Sequence, residues 1–265
     1  MARTRVRTSS LSALTLTLAL VTGCGGDSET SAAGHSRAGK PAVVATTTWQ
    51  GAIAQAAGAD NIEVIVDRSV PHAPDYDPKP SDLITVAQAD FVLYASFEPY
   101  AAKIKEAAGS KAKQVEVNLD NDPAQLKAEV TRLAGLFGTE KAAERWNREF
   151  DTEYARLNKG LRAAWPGGKS PLVVSHAFTT WAARLAGATT AGTYGPEAVT
   201  PAQLARLTAT KPALVLDNAH MSTGTVLPDT RAKHLSIVNY PGDDLDLLPV
   251  YRNAATELKK AMTNP

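Results

Sequence analysis

Cysteine is almost absent from this sequence, which has one, Cys24, in 265 residues. A single cysteine excludes an intramolecular disulfide. Aromatic residues make up only 6% of the chain. The usual catalytic motifs are missing: no Gly-x-Ser-x-Gly, no phosphate-binding Walker loop and no His-Glu-x-x-His occurs. Ser175 and His176 are neighbours on a predicted strand, so their side chains point to opposite faces and do not form a catalytic pair. We therefore predict a protein that is not an enzyme.

Excess charge is also lacking. The chain has 28 basic and 27 acidic side chains, and without residues 1–23, which include Arg3, Arg5 and Arg7, 25 basic side chains face 27 acidic ones. Nucleic-acid binding needs a basic patch, so this balance argues against a nucleic-acid partner.

The N-terminus resembles a bacterial lipoprotein signal. Three arginines precede the apolar run Leu11–Val21, which is too short to span a bilayer alone, and Val-Thr-Gly-Cys follows. The alternative is an ordinary signal peptide followed by an incidental cysteine. The resemblance implies acylation of Cys24, which anchors a protein to the membrane from outside the cytoplasm. Residues 24–40 are rich in Gly, Ser, Ala and Thr and predict a flexible tether.

From Pro41 onward, short apolar runs alternate with helical patterns, which predicts parallel βαβ units. A long helix, Glu140 to Ala164, separates two such series. The predicted fold class is therefore α/β: two small parallel-sheet lobes (41–138 and 167–265) joined by one long linking helix (139–166), with a ligand cleft between the lobes. Predicted strands are 43–45, 62–66, 91–95, 115–119, 172–175, 213–216 and 235–238, and predicted helices include 48–58, 83–89, 99–108, 178–185, 201–207, 224–232 and 247–262.

The stretch Ser69–Leu83 contains four prolines in fifteen residues, so it predicts an ordered loop after the second strand, with a helix capped by Ser81 beyond it. Open α/β sheets bind ligands at the carboxyl ends of their strands. His72 lies in this loop, with Asp75, Asp77 and Asp82 nearby.

Two further histidines also follow predicted strands. His176 follows Val173-Val174-Ser175, and His220 lies shortly after Leu216, with Asp217 between them. Imidazoles and carboxylates at one sheet edge suit a divalent metal, zinc most readily. The alternative is that these histidines are capped or partly exposed and share no purpose. His234, beside Arg231 and Lys233, is predicted to lie on the surface.

These motifs resemble those of the zinc and manganese solute-binding lipoproteins of ABC transporters. The proline loop, with Tyr76, Asp77-Pro78, Pro80 and Ser81-Asp82, resembles their first-ligand motif. Val173 to Phe178 (VVSHAF) resembles their third-ligand motif, and Tyr251-Arg252-Asn253 resembles their closing stretch. The resemblance implies two α/β lobes, a rigid linking helix and His176 as a metal ligand.

The sequence departs from the family pattern at the other ligands. The first ligand falls on Pro74, and the nearest histidine is His72; the second falls on Glu116; the last falls near Asn239, with Asp243 and Asp244 just beyond. His220 has no family counterpart. The candidate metal ligands are therefore His72, His176, His220, Glu116, Asp217 and Asp243, with each acid also open to a purely structural role.

The sequence thus predicts an extracytoplasmic, lipid-anchored and monomeric solute-binding protein that captures Zn²⁺ or Mn²⁺ between its lobes. An ABC permease and its ATPase are the expected partners. One alternative is a receptor of the same fold for an organic ligand or a metal chelate, favoured by the altered motifs. Another is a lipoprotein metallochaperone or adhesin with no importer.

Overall fold

The computed structural model describes residues 41–70, 72–221, 225–228 and 230–263. The predicted signal peptide, Cys24 and the tether lie outside these residues. They contain eight α-helices and eight strands, and the strands form two four-stranded sheets. No helix of the described part of the chain combines the length and apolarity needed to cross a bilayer.

The first sheet is entirely parallel, with strand order β2-β1-β3-β4. Its two central strands, β1 and β3, are apolar because helices cover both faces, so that Val43, Val44 and Val92 are all buried. The elements are β1 (Val43–Ala45), α1 (Thr48–Ala56), β2 (Ile62–Val64), α2 (Pro80–Gln88), β3 (Phe91–Tyr94), α3 (Ala101–Ala108) and β4 (Lys113–Glu116).

The second sheet is also parallel, with strand order β6-β5-β7-β8. Val173, Val174 and Val215 fill its centre. The elements are β5 (Leu172–His176), α6 (Thr180–Leu185), β6 (Thr189–Tyr194), α7 (Pro201–Ala209), β7 (Leu214–Asn218), β8 (Lys233–Ile237) and α8 (Leu248–Thr263).

Both sheets place their strands in the same order, with the first and third strands of each as central neighbours. From this pair the chain winds outwards in opposite directions, so the loops at the carboxyl ends diverge and leave a crevice. The fold therefore directs a ligand towards the loops that follow β1 and β3 in one sheet, and β5 and β7 in the other.

Two helices lie between the sheets in sequence, α4 (Pro123–Phe137) and α5 (Glu140–Ala163). At ~1.5 Å per residue, α5 is about 36 Å long. It buries Phe150, Leu157 and Leu161 and packs against α4, α6 and α8. A single apolar core runs through both sheets and this helix. The predicted fold class, including the long linking helix, is confirmed.

The start of α2 differs from the prediction. The helix begins at Pro80, so Lys79 occupies the N-cap position and Ser81 lies inside the first turn. Proline is favoured in a first turn because its missing N–H needs no partner there. Asp82 does act in the first turn, where its carboxylate accepts a hydrogen bond from the Lys79 amide at 2.8 Å.

The predicted helix over 224–232 is wrong for the residues that the structure describes there, 225–228 and 230–232, which form bends and a turn. Leu227 has a φ of +62°, which a right-handed helix does not accommodate. The following Pro228 also disfavours helical backbone at Leu227.

Strand β6 was not predicted. Its sequence, TTAGTY, is polar and contains Gly192, so it lacks the apolar run that marks a buried strand. It lies at the edge of the second sheet, where Thr189 and Thr190 are exposed to solvent.

Candidate functional site

A cavity of about 460 Å³ opens between the two sheets. Its walls come from the loops that the strand order singles out, represented by Thr47 after β1, Phe97 after β3, Phe178 after β5 and His220 after β7. The proline loop after β2 adds a further side. Position and size both match those of small-molecule sites in α/β proteins, which usually measure about 300–1,000 Å³.

Four aromatic side chains, which we call the aromatic wall, line this cavity: Trp49, Phe97, Phe178 and Tyr240. Phe97 is 61% exposed and Phe178 is 47% exposed, although large apolar side chains are usually buried. Trp49 meets Tyr240 edge-on, with ring centroids 5.2 Å apart. Prolines 74 and 196 add further apolar surface. The cavity is thus mainly hydrophobic.

The proline loop is held in place by its own side chains. The Tyr76 hydroxyl donates to the Asp82 carboxylate at 2.6 Å, and this bond raises the pKa of Tyr76 to about 12. Tyr76 and Asp82 are two of the residues that resemble the family's first-ligand motif. In this chain their hydrogen bond fixes the loop to the start of α2. His72 lines the cavity, and its Nδ1 lies 3.1 Å from the Asp75 carboxylate.

His220 is the second histidine that lines the cavity. Its ring meets Tyr240 edge-on at 4.6 Å, and its backbone amide donates to Asn218 Oδ1 at 3.0 Å. The buried Nε2 has no hydrogen-bond partner among the described residues. Burial, together with the charge of Arg68, lowers the pKa of His220, so the imidazole is neutral at neutral pH.

His176 is sealed away from this cavity. It ends β5, is fully buried, and its Nδ1 accepts a hydrogen bond from the Phe178 amide at 3.1 Å. Its Nε2 packs against Gly195 so closely that a Cβ there would collide with it. Burial lowers the pKa of His176, partly offset by Asp217. His176 Nε2 also has no hydrogen-bond partner among the described residues, and whether this residue binds a metal stays a prediction.

The three candidate acids do not line the cavity. Glu116 is exposed and borders a separate groove beside β4. Asp217 is half-buried on β7, where its carboxylate accepts from the Asn218 amide at 2.9 Å. Asp243 is exposed beyond β8. Of the six candidate ligands, the structure brings only His72 and His220 to the cavity.

The donor set at the cavity is small for a bare ion. Across residues 41–70, 72–221, 225–228 and 230–263, no three His, Cys, Asp or Glu side chains lie close enough together to hold a metal. Asp67 is the only carboxylate that the described residues bring to the cavity, and it accepts a hydrogen bond from the Ser69 amide at 2.7 Å. Bonds to Ser69 lower the pKa of Asp67. A zinc site normally uses three or four protein ligands.

Arg68 also lines the cavity and was missed by the sequence reasoning. It is exposed and makes no ion pair or side-chain hydrogen bond with any described residue. The available signals were its position four residues after the end of β2 and the neighbouring Asp67. Among the described residues at the cavity it is the only arginine or lysine, and the neighbouring Asp67 carries the opposite charge.

The buried carboxylate of Glu98 holds one wall of the cavity in place through hydrogen bonds. Glu98 accepts hydrogen bonds from Thr46 Oγ1 at 2.9 Å, Gln50 Nε2 at 2.8 Å and the Ala95 amide at 2.9 Å. Burial raises the pKa of Glu98. Gln50 in turn accepts from the Thr47 amide, so these bonds fix the β1–α1 turn that forms one wall.

Behind the cavity, four residues, which we call the brace, tie the two sheets together: Asn121, Trp181, Asn239 and Tyr251. Asn239 Oδ1 accepts from Trp181 Nε1 at 2.9 Å, and Asn239 Nδ2 donates to the Phe178 carbonyl at 3.2 Å. Asn121 Nδ2 donates to the Asn239 carbonyl at 3.2 Å, and the Tyr251 hydroxyl donates to the Asn121 carbonyl at 2.8 Å. The family's last ligand falls near Asn239, which makes these two side-chain hydrogen bonds in the brace and also lines the cavity.

Comparisons with known proteins support the fold. No protein-family model matches the chain, and no curated protein matches it. Solved structures do match. Three of them are the laminin-binding protein Lbp of Streptococcus pyogenes, the laminin-binding protein Lmb of Streptococcus agalactiae and the solute-binding protein FpvC of Pseudomonas aeruginosa in complex with Mn²⁺.

Lbp is 16% identical, with a TM-score of 0.62 over 84% of this chain and 99% of Lbp. Lmb, described as a bifunctional protein with adhesin and metal-transporting activity, is 16% identical, with a TM-score of 0.59 over 84% of this chain and 98% of Lmb. FpvC is 14% identical, with a TM-score of 0.59 over 84% of this chain and 96% of FpvC. The chain therefore has the fold of metal-binding solute-binding proteins, as the sequence resemblance implied.

Proposed function

We propose that this protein is the extracytoplasmic solute-binding protein of an ABC importer and that its cavity captures a metal as an organic chelate, or a related organic solute. The observation that carries the proposal is the aromatic-walled cavity of about 460 Å³ between the sheets. A bare ion leaves most of such a space unfilled, whereas an organic ligand fills it and buries the exposed rings.

The residues at the cavity suit this cargo. The aromatic wall offers apolar contact surface, and a ligand that covers Phe97 and Phe178 removes that surface from water. Arg68 supplies positive charge for an anionic group. The neutral His220 keeps its Nε2 without a partner among the described residues and so provides a hydrogen-bonding group.

Bare Zn²⁺ or Mn²⁺ is the second candidate cargo. Two observations favour it: His72 and His220 line the same cavity, and the fold is shared with FpvC, which was solved with Mn²⁺. In this case the imidazoles would be the protein ligands, and solvent or a further carboxylate would complete the coordination. His176, Glu116, Asp217 and Asp243 remain the other proposed ligands.

The membrane tether and the importer belong to the same proposal. Acylation of Cys24 would anchor the chain outside the cytoplasm, and residues 24–40 would serve as the tether. The protein would act as a monomer, with lobes 41–138 and 167–265 presenting the cargo to a permease. Stimulation of the ATPase by the cargo-loaded protein tests this partner. A metallochaperone or an adhesin would bind its cargo without any such stimulation.

The cargo itself can be identified directly. The mature protein, purified without chelators, is analysed by native mass spectrometry and by elemental analysis for metals. A bound organic molecule, with or without a metal, supports the first candidate. Metal without an organic partner, lost in His72→Ala and His220→Ala but kept in the surface control His234→Ala, supports the second. A protein that binds neither contradicts both.

A further inference from the structure

The two most exposed aromatic rings at the cavity come from opposite sheets. Phe97 follows β3 of the first sheet, and Phe178 follows β5 of the second, with exposures of 61% and 47%. Each lies at the carboxyl end of a central strand. Rings that stay exposed on both sides of one cavity offer two faces to a ligand that enters between the sheets.

Deeper in the cavity, three rings form a continuous row from one sheet to the other. Trp49 on α1 meets Tyr240, with ring centroids 5.2 Å apart, and Tyr240 meets His220, with centroids 4.6 Å apart. Both contacts are edge-on. Trp49 and His220 also carry buried ring nitrogens, Nε1 and Nε2, that have no hydrogen-bond partner among the described residues.

Arg68 provides a contact for an acidic group at this cavity. It makes no ion pair within the described part of the chain, and its planar fork matches a carboxylate. The neighbouring Asp67 carries a negative charge, because bonds to Ser69 lower its pKa, so the contact for an anion is the guanidinium itself and not a net positive field. Aromatic rings beside a carboxylate also suit a quaternary ammonium cation, so choline is the competing ligand in the test.

We propose that the cavity binds a flat aromatic carboxylate or phenolate, either free or as the organic part of a metal complex, with its ring against the aromatic wall and its acidic group at Arg68. This inference rests on the proposed function, since it specifies the chemical class of the cargo. Sugars fit less well, because they need many polar partners and the walls are mainly apolar.

The probe is 2,3-dihydroxybenzoate, titrated calorimetrically into the mature protein, once alone and once with one equivalent of Fe³⁺. Cyclohexanecarboxylate has the same charge and ring size without the aromatic face, and choline is the cationic comparison. We expect 2,3-dihydroxybenzoate, in one of its two forms, to bind at least about tenfold more tightly than either comparison compound.

Two exposed-site variants assign the contacts. Arg68→Gln should weaken binding about tenfold or more, and the double variant Phe97→Leu/Phe178→Leu should weaken it about fivefold or more. Arg206→Gln on α7 and Ile84→Ala on α2 are matched controls, because both residues are exposed and lie outside the cavity. Both controls should bind as the unchanged protein does.

Several results would overturn this inference: no binding of either form of the probe, equal binding of cyclohexanecarboxylate or choline, or full binding by Arg68→Gln. The identity of the cargo that copurifies with the protein then distinguishes failure of this inference from failure of the proposed function. A native cargo that is organic but aliphatic or cationic removes the aromatic-anion inference and leaves the solute-binding function in place. A bare ion as native cargo removes the chelate proposal as well.

Discussion

The brace lies against the cavity, since Asn239 belongs to both, but the two regions differ in how many of their polar groups are hydrogen-bonded and in how deeply their aromatic rings are buried. In the side chains of the brace only Asn121 Oδ1 lacks a hydrogen-bond partner among the described residues. In the brace, both side-chain polar atoms of Asn239 are hydrogen-bonded, and Tyr251 and Trp181 are buried. At the cavity, Arg68 and His220 Nε2 lack partners among the described residues, and Phe97 is exposed. From this contrast we expect substitutions in the brace to change stability and substitutions of the exposed cavity residues to leave it nearly unchanged.

The largest expected effect tests the brace. Asn239→Leu should lower the free energy of unfolding by about 2–4 kcal/mol, because it leaves Trp181 Nε1 and the Phe178 carbonyl buried without partners. Urea unfolding measures the change. The exposed Asn118→Leu is the control and should stay within about 0.5 kcal/mol of the unchanged protein. A loss below about 1 kcal/mol for Asn239→Leu would show that the brace is not what holds the sheets together.

The next largest effect tests the packing of His176 against Gly195. Gly195 has a φ of +74°, and a Cβ there would meet the His176 ring, so Gly195→Ala should destabilise the protein by about 2–3 kcal/mol. Gly138→Ala is the matched control, since Gly138 has a φ of +71° and a ψ of +33°, the left-handed helical region, with open space around it, and should lose only about 1 kcal/mol.

Thermal unfolding of Gly195→Ala, His176→Ala and the double variant completes this test. The two changes should be non-additive, because removing the imidazole relieves the collision. Additive effects would mean that His176 does not pack against Gly195 and is open to another role.

A smaller effect concerns the helices next to the brace. Glu153 on α5 accepts hydrogen bonds from Arg156 at 2.7 Å and from Arg252 on α8 at 2.6 Å. Bonds from Arg156 first, and then from Arg252, lower the pKa of Glu153 from 4.5 to about 2. Glu153→Gln should therefore cost about 1–2 kcal/mol at pH 7.

This difference depends on pH with a defined sign. A carboxyl with a lowered pKa in the folded state stabilises the fold above its unfolded pKa, and that contribution is lost as the pH falls from about 4.5 to about 2. The melting temperatures of Glu153→Gln and the unchanged protein should thus differ at pH 7 and converge near pH 2. The exposed Glu144→Gln serves as the control, and a gap that persists at pH 2 would contradict the assignment.

The smallest effect on stability is expected at the cavity. Arg68→Gln and Phe97→Leu should each change the free energy of unfolding by no more than about 0.5 kcal/mol, because both side chains are exposed. Urea unfolding is again the measurement. Destabilisation by more than about 1 kcal/mol would place these residues in the folded core and remove the contrast with the brace.

The sequence predicted much of this fold because its strands and helices carry clear local signals. The buried parallel strand Val43–Ala45 is a continuous apolar run, the strand Leu172–His176 begins with one, and α5 shows one apolar face ending near Trp165-Pro166. Strand β6 carries no such run. It pairs with β5 through backbone bonds that its side chains do not reveal.

The site was harder to predict because side-chain direction is a tertiary property. His176 and His220 both follow β-strands in the same sheet, yet one packs under Gly195 and the other lines the cavity. Spacing placed Asn239 near a family ligand, but Trp181 and Phe178, about sixty residues away in the chain, determine its bonds. No sequence motif marked Arg68. Its proposed contact with an anionic group depends on its position at the cavity, which only the fold reveals.

The brace also bears on how cargo leaves. Thr48 Oγ1 donates to the Pro241 carbonyl and Gln55 Nε2 to the Asp244 carbonyl, so the first sheet is also fastened to the segment after β8, beside the cavity. Halves tied at these points have little freedom to swing apart on their own. Under the proposed function, release of the cargo would then require the loops at the mouth to be displaced by contact with the permease.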